Sequence, residues 1–442
     1  MYNNRHISFL FFLLISLLPA GHAQTTYNSP FSMKGLGNLP NPVLIRNSAM
    51  GGISIGMRDP SYIDFNNPAS ISARDSLSFV FDFGANGKTT KLQSKDHSER
   101  THDLNLGHLT FSFPVFRNMG IALGFVPSAF TGYALNERVD SQDPLYNPQV
   151  GELSYYFKGE GGVTRFFAGT AIELFDHLSI GFNFDYLFGK IHKSHELYFP
   201  DNTSAFHTRL DRNYIVSDFN FDVGLQYTAR FGEEKRLVIG LIGSTTNKKI
   251  RYTEEAYDYA VLIFPNGSKK LDTINNYTLY NQRIIMPPLL GIGFTFSDGN
   301  KWTVGADYTY SNWSKASIPF SSDSLIPSQS VRAGFEFSPN PRDFRRYWKI
   351  VKYRVGTHYR SSYFTVNKEP VNDFGISFGV GFPIINRGSG IPAVMSGRTT
   401  INVSIESGWR GNVEKNFVKE QYNIIKFGIS VNDLWFVKRR YK

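Results

Sequence analysis

The chain has no cysteine, so disulfide staples, thiol chemistry and attachment through a lipidated cysteine are all excluded. Nor does it hold an apolar run of the roughly 20 residues that a membrane-crossing helix requires. Its longest such run, residues 7–18, follows Arg5 and precedes Pro19, Ala20, Gly21 and Ala23. That order predicts a secretory leader over residues 1–23, cleaved after Ala23. Helical periodicity is scarce downstream, and no Pro/Ser-rich linker or charge run divides the 442 residues. Acidic residues are outnumbered, giving a formal net charge of +10, which suits anionic headgroups or carboxylates as partners. The basic residues are scattered and form no recognised nucleic-acid motif, so nucleic acid is not an expected partner.

What the chain has in quantity is alternation. Over residues 373–384 the large apolar positions Phe374, Ile376, Phe378, Val380, Phe382 and Ile384 alternate with Asp373, Gly375, Ser377, Gly379 and Gly381. This is a strand with one oily face. Similar segments begin near residues 75, 102, 119, 152, 180, 219, 237, 290, 302, 331, 353, 401 and 425. With almost no helix to cover so many oily faces, the partner they need is a bilayer. Aromatics at 15% and 39 glycines fit a barrel, with rings in interfacial girdles and small residues relieving crowding on the inner wall. The expected fold is an all-β transmembrane antiparallel barrel of about fourteen strands over residues 75–436, followed by a basic tail over residues 437–442. In the second strand the apolar parity changes around Gly107, which predicts a bulge.

An even strand number returns both ends to one side of the membrane. Links 175–177, 232–235 and 297–300 are short and are expected on the periplasmic side; links 127–151, 199–213 and 257–278 are long and are expected outside. Links 339–349 and 386–397 exceed ordinary turns although they fall on the periplasmic side. The former carries the aromatic and basic run Phe344, Arg345, Arg346, Tyr347, Trp348.

Residues 24–74 contain glycines and prolines without sustained alternation. They include Ala49-Met50-Gly51-Gly52, then Arg58-Asp59, then Asn67-Pro68-Ala69. This order resembles the N-terminal hatch of the FadL/TodX family of outer-membrane transporters of long-chain fatty acids and hydrocarbons. The resemblance implies a hatch inside the lumen with Gly51, Gly52, Asn67, Pro68 and Ala69 in its gate. It further implies a hydrophobic small molecule as ligand, and lateral exit through a gap at a kinked third strand. On this chain that strand carries Gly124 and reaches Pro127. Proline lacks the N–H a ladder needs, so a gap is physically reasonable there; the alternative is that Pro127 simply ends the strand. Asn67 and Pro68 also read as a turn that anchors the segment. The outer membrane of a diderm bacterium is the expected location, with membrane lipids as surroundings and no cofactor or metal.

If the apolar parity faces lipid, the lumen receives Asn183, Asp185, Asp218, Asn220, Asp222, Asp307, Arg332, Glu336, Arg354, His358, Arg360, Glu406 and Arg410. They can brace the wall as ion pairs, or a surplus arginine, Arg354 or Arg360, can receive a ligand carboxylate. Ser54 and Ser377 each sit in a Gly-x-Ser-x-Gly spelling, but neither lies on a strand-to-helix elbow. His192 and His195 lack further metal ligands. An enzyme is therefore not expected. The expected function is passive, hatch-gated uptake of a hydrophobic ligand such as a long-chain fatty acid; the alternative is a non-transporting barrel that serves as a structural partner in an envelope secretion or outer-membrane assembly complex.

Overall fold

The computed structural model describes residues 28–75, 78–201, 206–244, 248–264, 267–343, 345–384 and 399–434. The expected leader over residues 1–23, the basic tail over 437–442, Phe344 and the 386–397 link lie outside the described residues. Sixteen strands follow one another: β1 Ser78–Gln93, β2 Ser98–Phe116, β3 Met119–Val139, β4 Leu153–Leu174, β5 Leu178–Tyr198, β6 His207–Phe231, β7 Lys235–Ser244 and β8 Lys248–Phe264, then β9 Gly267–Met286, β10 Leu289–Asp298, β11 Trp302–Ser311, β12 Ser328–Phe337, β13 Lys352–Val366, β14 Glu369–Pro383, β15 Thr400–Arg410 and β16 Lys419–Leu434. Fourteen of them form a closed antiparallel ring, sealed where β1 meets β16 and where β5 meets β6. The ring matches the strand number read from alternation.

The two remaining strands are β8 and β9. One edge of β6 pairs with β7 over Asp222 to Phe231 and with β8 over His207 to Val216. Correspondingly β10 pairs with β7, and β9 pairs with β8. Thus β7 with β8, and β9 with β10, act as two long strands, each interrupted once. The second interruption is Pro287-Pro288, where two consecutive residues lack a ladder donor. The inner halves belong to the wall and the outer halves form a hairpin that continues past it. Since 9–11 tilted residues suffice to cross a bilayer, the ten-residue strands β7, β10, β11 and β12 are of spanning length, and the longer strands project beyond.

That extension corrects the expectation of long loops at 127–151, 199–213 and 257–278. Most of those residues are strand: β3 runs on to Val139, β6 begins at His207, and residues 257–278 lie almost wholly in the β8–β9 hairpin. Pro127 does not end its strand either. It pairs with Thr164 of β4 beside a register shift, so β3 absorbs the proline as an irregularity and continues. The far end of the barrel also carries tight turns, at 94–97 and 367–368, because there the length is held in strand rather than loop. The bulge at Gly107 is present: Gly84 faces His108 and Ala85 faces Leu106, leaving Gly107 unmatched.

The facing is inside out relative to a soluble protein. Phe378 is 60% exposed and Ile425 61%, both on the outer surface, whereas Asp82, His108, Asn183, Asp307, Glu336 and Ser404 are buried. Residues 28–75 supply much of the apolar material in between. Leu44, Tyr62, Ile63, Phe65 and Ile71 pack with Val80, Ala122, Phe167 and Ala171 of the strands. Nearer the far end, Phe31 and Leu36 join Leu187, Ile191, Tyr252, Trp313 and Phe364.

Inward-facing glycines let this segment approach the wall backbone to backbone. Gly51 has φ +70, and a Cβ there would strike the Thr357 and Ala333 carbonyls; a Cβ on Gly356 of β13 would strike the backbone of Met50 and Gly51. Gly356→Ala should therefore weaken the docking of residues 28–75 by about 1–3 kcal/mol, as overpacking does. The expected readout is faster protease cleavage within that segment at unchanged barrel content by circular dichroism.

Candidate functional site

The lumen is organised around buried carboxylates that reach from the wall to residues 28–75. Glu336 on β12 accepts from Arg46 at 3.1 and 3.2 Å and from Arg354 of β13 at 2.6 Å. Arg46 also meets Asp59 at 2.8 Å and lies 4.2 Å from the Tyr62 ring centre. Lys352 adds a third cation 3.8 Å from Glu336. On β11, Asp307 Oδ2 accepts the amides of Ser54 and Ile55 at 2.6 and 2.9 Å. From β4, Glu173 holds Arg58 at 2.8 Å, and Arg58 returns to the Ala69 carbonyl and the Ser72 hydroxyl. Three regions of the wall thus grip the same short segment.

Asn67, Pro68 and Ala69 open a 3₁₀ turn that lies against the wall. Asn67 Oδ1 accepts the Ala69 amide at 3.1 Å, opening the 3₁₀ turn Pro68–Ala73, while Nδ2 donates to the carbonyls of Ile55 at 2.8 Å and Leu225 at 3.3 Å. Gly51 donates its amide to Ser377 Oγ at 2.9 Å. Ser377 is therefore a ligand for backbone, with no base beside it. Ser54 likewise serves the turn geometry, its hydroxyl 3.4 Å from Asn66 Nδ2. His192 bonds Asn213 and His195 packs edge-on against Phe157.

Between β2 and β3 the wall has a seam. Their pairing runs from Phe116 opposite Met119 to Leu109 opposite Phe125, and beyond that β3 pairs only with β4. Gly124 is the last inward residue before the seam, opposite Thr110, and Pro127 lies just inside it. Residues 29–38 line the open edge instead. Asn38 and Phe130 exchange bonds of 2.8 and 2.9 Å, Ser29 donates to the Gly132 carbonyl at 2.8 Å, and Gly132 donates to Ser32 Oγ at 3.0 Å. The backbone groups that β2 abandons are thus partly satisfied by the N-terminal segment.

The arginines sort differently from the sequence expectation. Arg354 gives Nε to Glu336 and Nη1 to Asn402 at 2.8 Å, deep in the wall, while its Nη2 is buried without a partner among the described residues. Arg360 bonds Asp373 and the Leu39 carbonyl, each at 2.8 Å. Neither is surplus. Asp373 also accepts from Tyr422 at 2.8 Å, and Lys426 pairs with Glu406 at 2.7 Å. A network that alternation did not reveal joins β1, β2 and β16: His108 meets Asp82 at 2.6 Å, and Ser430 donates to the other oxygen of the same carboxylate. With Asp82 between serine and histidine, no hydroxyl is activated by the imidazole. Among the described residues no group of metal ligands is present.

The profile of the BamG family matches residues 4–442. The chain belongs to the BamG family. No curated protein matches its sequence. Among solved structures it is similar to a FadL homologue from Pseudomonas aeruginosa (11% identity, TM-score 0.57, 91% of this chain and 100% of that one). It is also similar to the CymD monoaromatic hydrocarbon channel (14% identity, TM-score 0.55, covering 88% and 97%) and to the Ralstonia pickettii toluene transporter TbuX (14% identity, TM-score 0.54, covering 88% and 97%). The fold is that of the FadL-like outer-membrane barrels, and the outer membrane is its location.

Two outcomes follow from these contacts. Arg46→Gln removes the charge that Glu336 and Asp59 share, and should cost about 3–5 kcal/mol in thermal or denaturant unfolding, as breaking a buried pair does. Asp64, buried and near the Asp307 carboxylate, is pushed up to about 8 by burial despite bonds from Asn66 and Asn47. Because the folded form keeps its proton longer, stability should fall as pH rises from about 4 to about 8 and level off above that. Asp64→Asn should flatten this slope in unfolding curves taken across the same window.

Proposed function

We propose that this chain is a plugged outer-membrane barrel that acts as a structural partner for other envelope proteins. The carrying observation is the wall's hold on residues 28–75: Glu336, Asp307 and Glu173 each bind that segment from different strands. Withdrawing the segment takes Arg46 from Glu336, the Ser54 and Ile55 amides from Asp307 and Arg58 from Glu173, and a buried charge that loses partners costs several kcal/mol. Such a plug is built to stay. Surface for partners is available at the far end, where β9 pairs with β8 on one edge while its other edge has, among the described residues, a single bridge from Ile285 to Ser317. Ile274 and Tyr280 on β9 are 65% and 70% exposed. An unpaired edge with apolar side chains is a ready template for another chain.

A second reading, passive uptake of a hydrophobic molecule with lateral exit, is favoured by the seam between β2 and β3. A cavity of about 190 Å³ reaches it through Leu106, Gly107, Pro127 and Phe130. Its other walls include Lys88, Asp373, Glu406 and Arg410, a charged lining for an apolar passenger. Exit along this route requires residues 29–38 to release the edge of β3.

The absence of native cysteine permits a clean test. Asn38 and Phe130 face each other across an antiparallel bridge, a separation of about 5.5 Å between Cα atoms that a disulfide spans. With both changed to cysteine and oxidised, partners should co-purify from native outer membranes at unchanged yield. Liposomes containing the free form should take up a long-chain fatty acid no faster than empty ones. Uptake by the free form that the lock abolishes would establish the second reading and remove the first.

A further inference from the structure

We propose that residues 345–348, on the link from β12 to β13, bind an anionic glycerophospholipid, with Arg345 and Arg346 on its phosphate and the Tyr347 and Trp348 rings at the headgroup boundary. The link lies at the end of the ring where β1 begins and β16 ends, the periplasmic end in barrels of this kind. Its charges sort into two kinds. Lys349 pairs with Asp343 at 2.8 Å, and Arg342 reaches Glu234, in the turn between β6 and β7, at 2.7 Å. Arg345 and Arg346 are exposed and make no ion pair with the described residues. Two adjacent guanidinium groups are thus left over on a link whose other charges are paired.

The link is held in place by its own ends. The Ser338 hydroxyl and the Asn340 amide both donate to the Lys349 carbonyl, at 3.1 and 2.8 Å. Ile350 and Val351 are buried, whereas Tyr347 and Trp348, in the short helix Tyr347–Ile350, are 47% and 56% exposed. Wall strands that face lipid set the position of both. The Tyr347 hydroxyl donates to the Pro383 carbonyl of β14 at 3.1 Å, between the outward-facing Phe382 and Ile384. The hydroxyl of Tyr353, an outward residue of β13, donates to the Trp348 carbonyl at 3.2 Å. Tyr347 and Trp348 therefore stand on the rim where the oily band ends, the depth that such rings occupy at a membrane interface. Arginines at that depth meet phosphates: the fork binds one in bidentate contact while the stem lies along apolar surface. An acidic protein surface would match the two charges, but a lipid reaches the charges and the rings together from within the bilayer. The site goes beyond the scaffold reading and is independent of it.

The test is native mass spectrometry of the full chain, stripped of lipid in detergent and titrated with phosphatidylglycerol or with phosphatidylcholine of the same acyl chains. Phosphatidylglycerol should be retained at lower concentration than phosphatidylcholine. Changing both Arg345→Gln and Arg346→Gln should weaken its retention by about ten- to thirtyfold, the effect of two interfacial cations. Arg100→Gln, an exposed change at the far end, should retain it as the native chain does. In liposomes, the tryptophan fluorescence that Trp348→Phe removes should be quenched by phosphatidylglycerol brominated near the headgroup end of its acyl chains. Equal retention of the two lipids, or native retention of phosphatidylglycerol by the double variant, overturns the proposal. So does Trp348 fluorescence that brominated lipid leaves unquenched. Displacement of the bound lipid by free glycerol phosphate would assign the site to a soluble phosphate and overturn the lipid assignment. Loss of partner co-purification in the double variant at unchanged lipid retention would overturn it too, in favour of a protein contact. Absence of partners from the native chain, with its phosphatidylglycerol retained, would sink the scaffold reading alone.

Discussion

Hydrocarbon offers no hydrogen bonds, so a wall of strands in a bilayer has to pair its backbone N–H and C=O groups within itself. Closure of β1 on β16 meets that demand where the chain begins and ends its circuit. The continuous pairing of β6 with β5, and its split pairing with β7 and β8, meet it where a hairpin grows out of the ring. At β2 and β3 the ladder stops short, and residues 29–38 supply bonds to the exposed edge. The N-terminal segment is consequently part of the wall's hydrogen bonding as well as its filling.

The same solvent inverts the interior. Apolar side chains are worth most on the outer surface, which leaves polar and charged groups to share a confined lumen. Charges in that setting need partners, because each one taken from water without compensation costs several kcal/mol. Glu336 bound by Arg46 and Arg354, and Asp373 bound by Arg360 and Tyr422, show the result. The wall and residues 28–75 neutralise each other's charges.

Legibility followed the range of the interaction. The strand number, the bulge at Gly107 and the turn at Asn67 and Pro68 could be read from residues close together, because alternation, parity change and proline geometry are local. The extent of the strands past the membrane was not legible. Charged and polar stretches such as residues 248–264 keep their strand form by pairing with β6, and a partner forty residues away leaves no local mark. Continuation of β3 through Pro127 escaped for a like reason, since the β4 ladder carries the strand on.

The arginines show the division most clearly. Alternation alone placed Arg332, Arg354 and Arg360 on the inner face, since side-chain direction along a strand has a fixed period of two. Which of them was paired depended on the shear between strands and on where Arg46, Leu39 and Gly52 of the inserted segment came to rest. Sequence by itself determined a fourteen-strand wall, its oily outside and its charged inside, because a bilayer rewards a pattern readable two residues at a time. Only the tertiary structure decided that Arg354 meets Glu336 and Arg360 meets Asp373, because those contacts lie across the β12–β13 and β13–β14 ladders and depend on strand register, which alternation within one strand does not set.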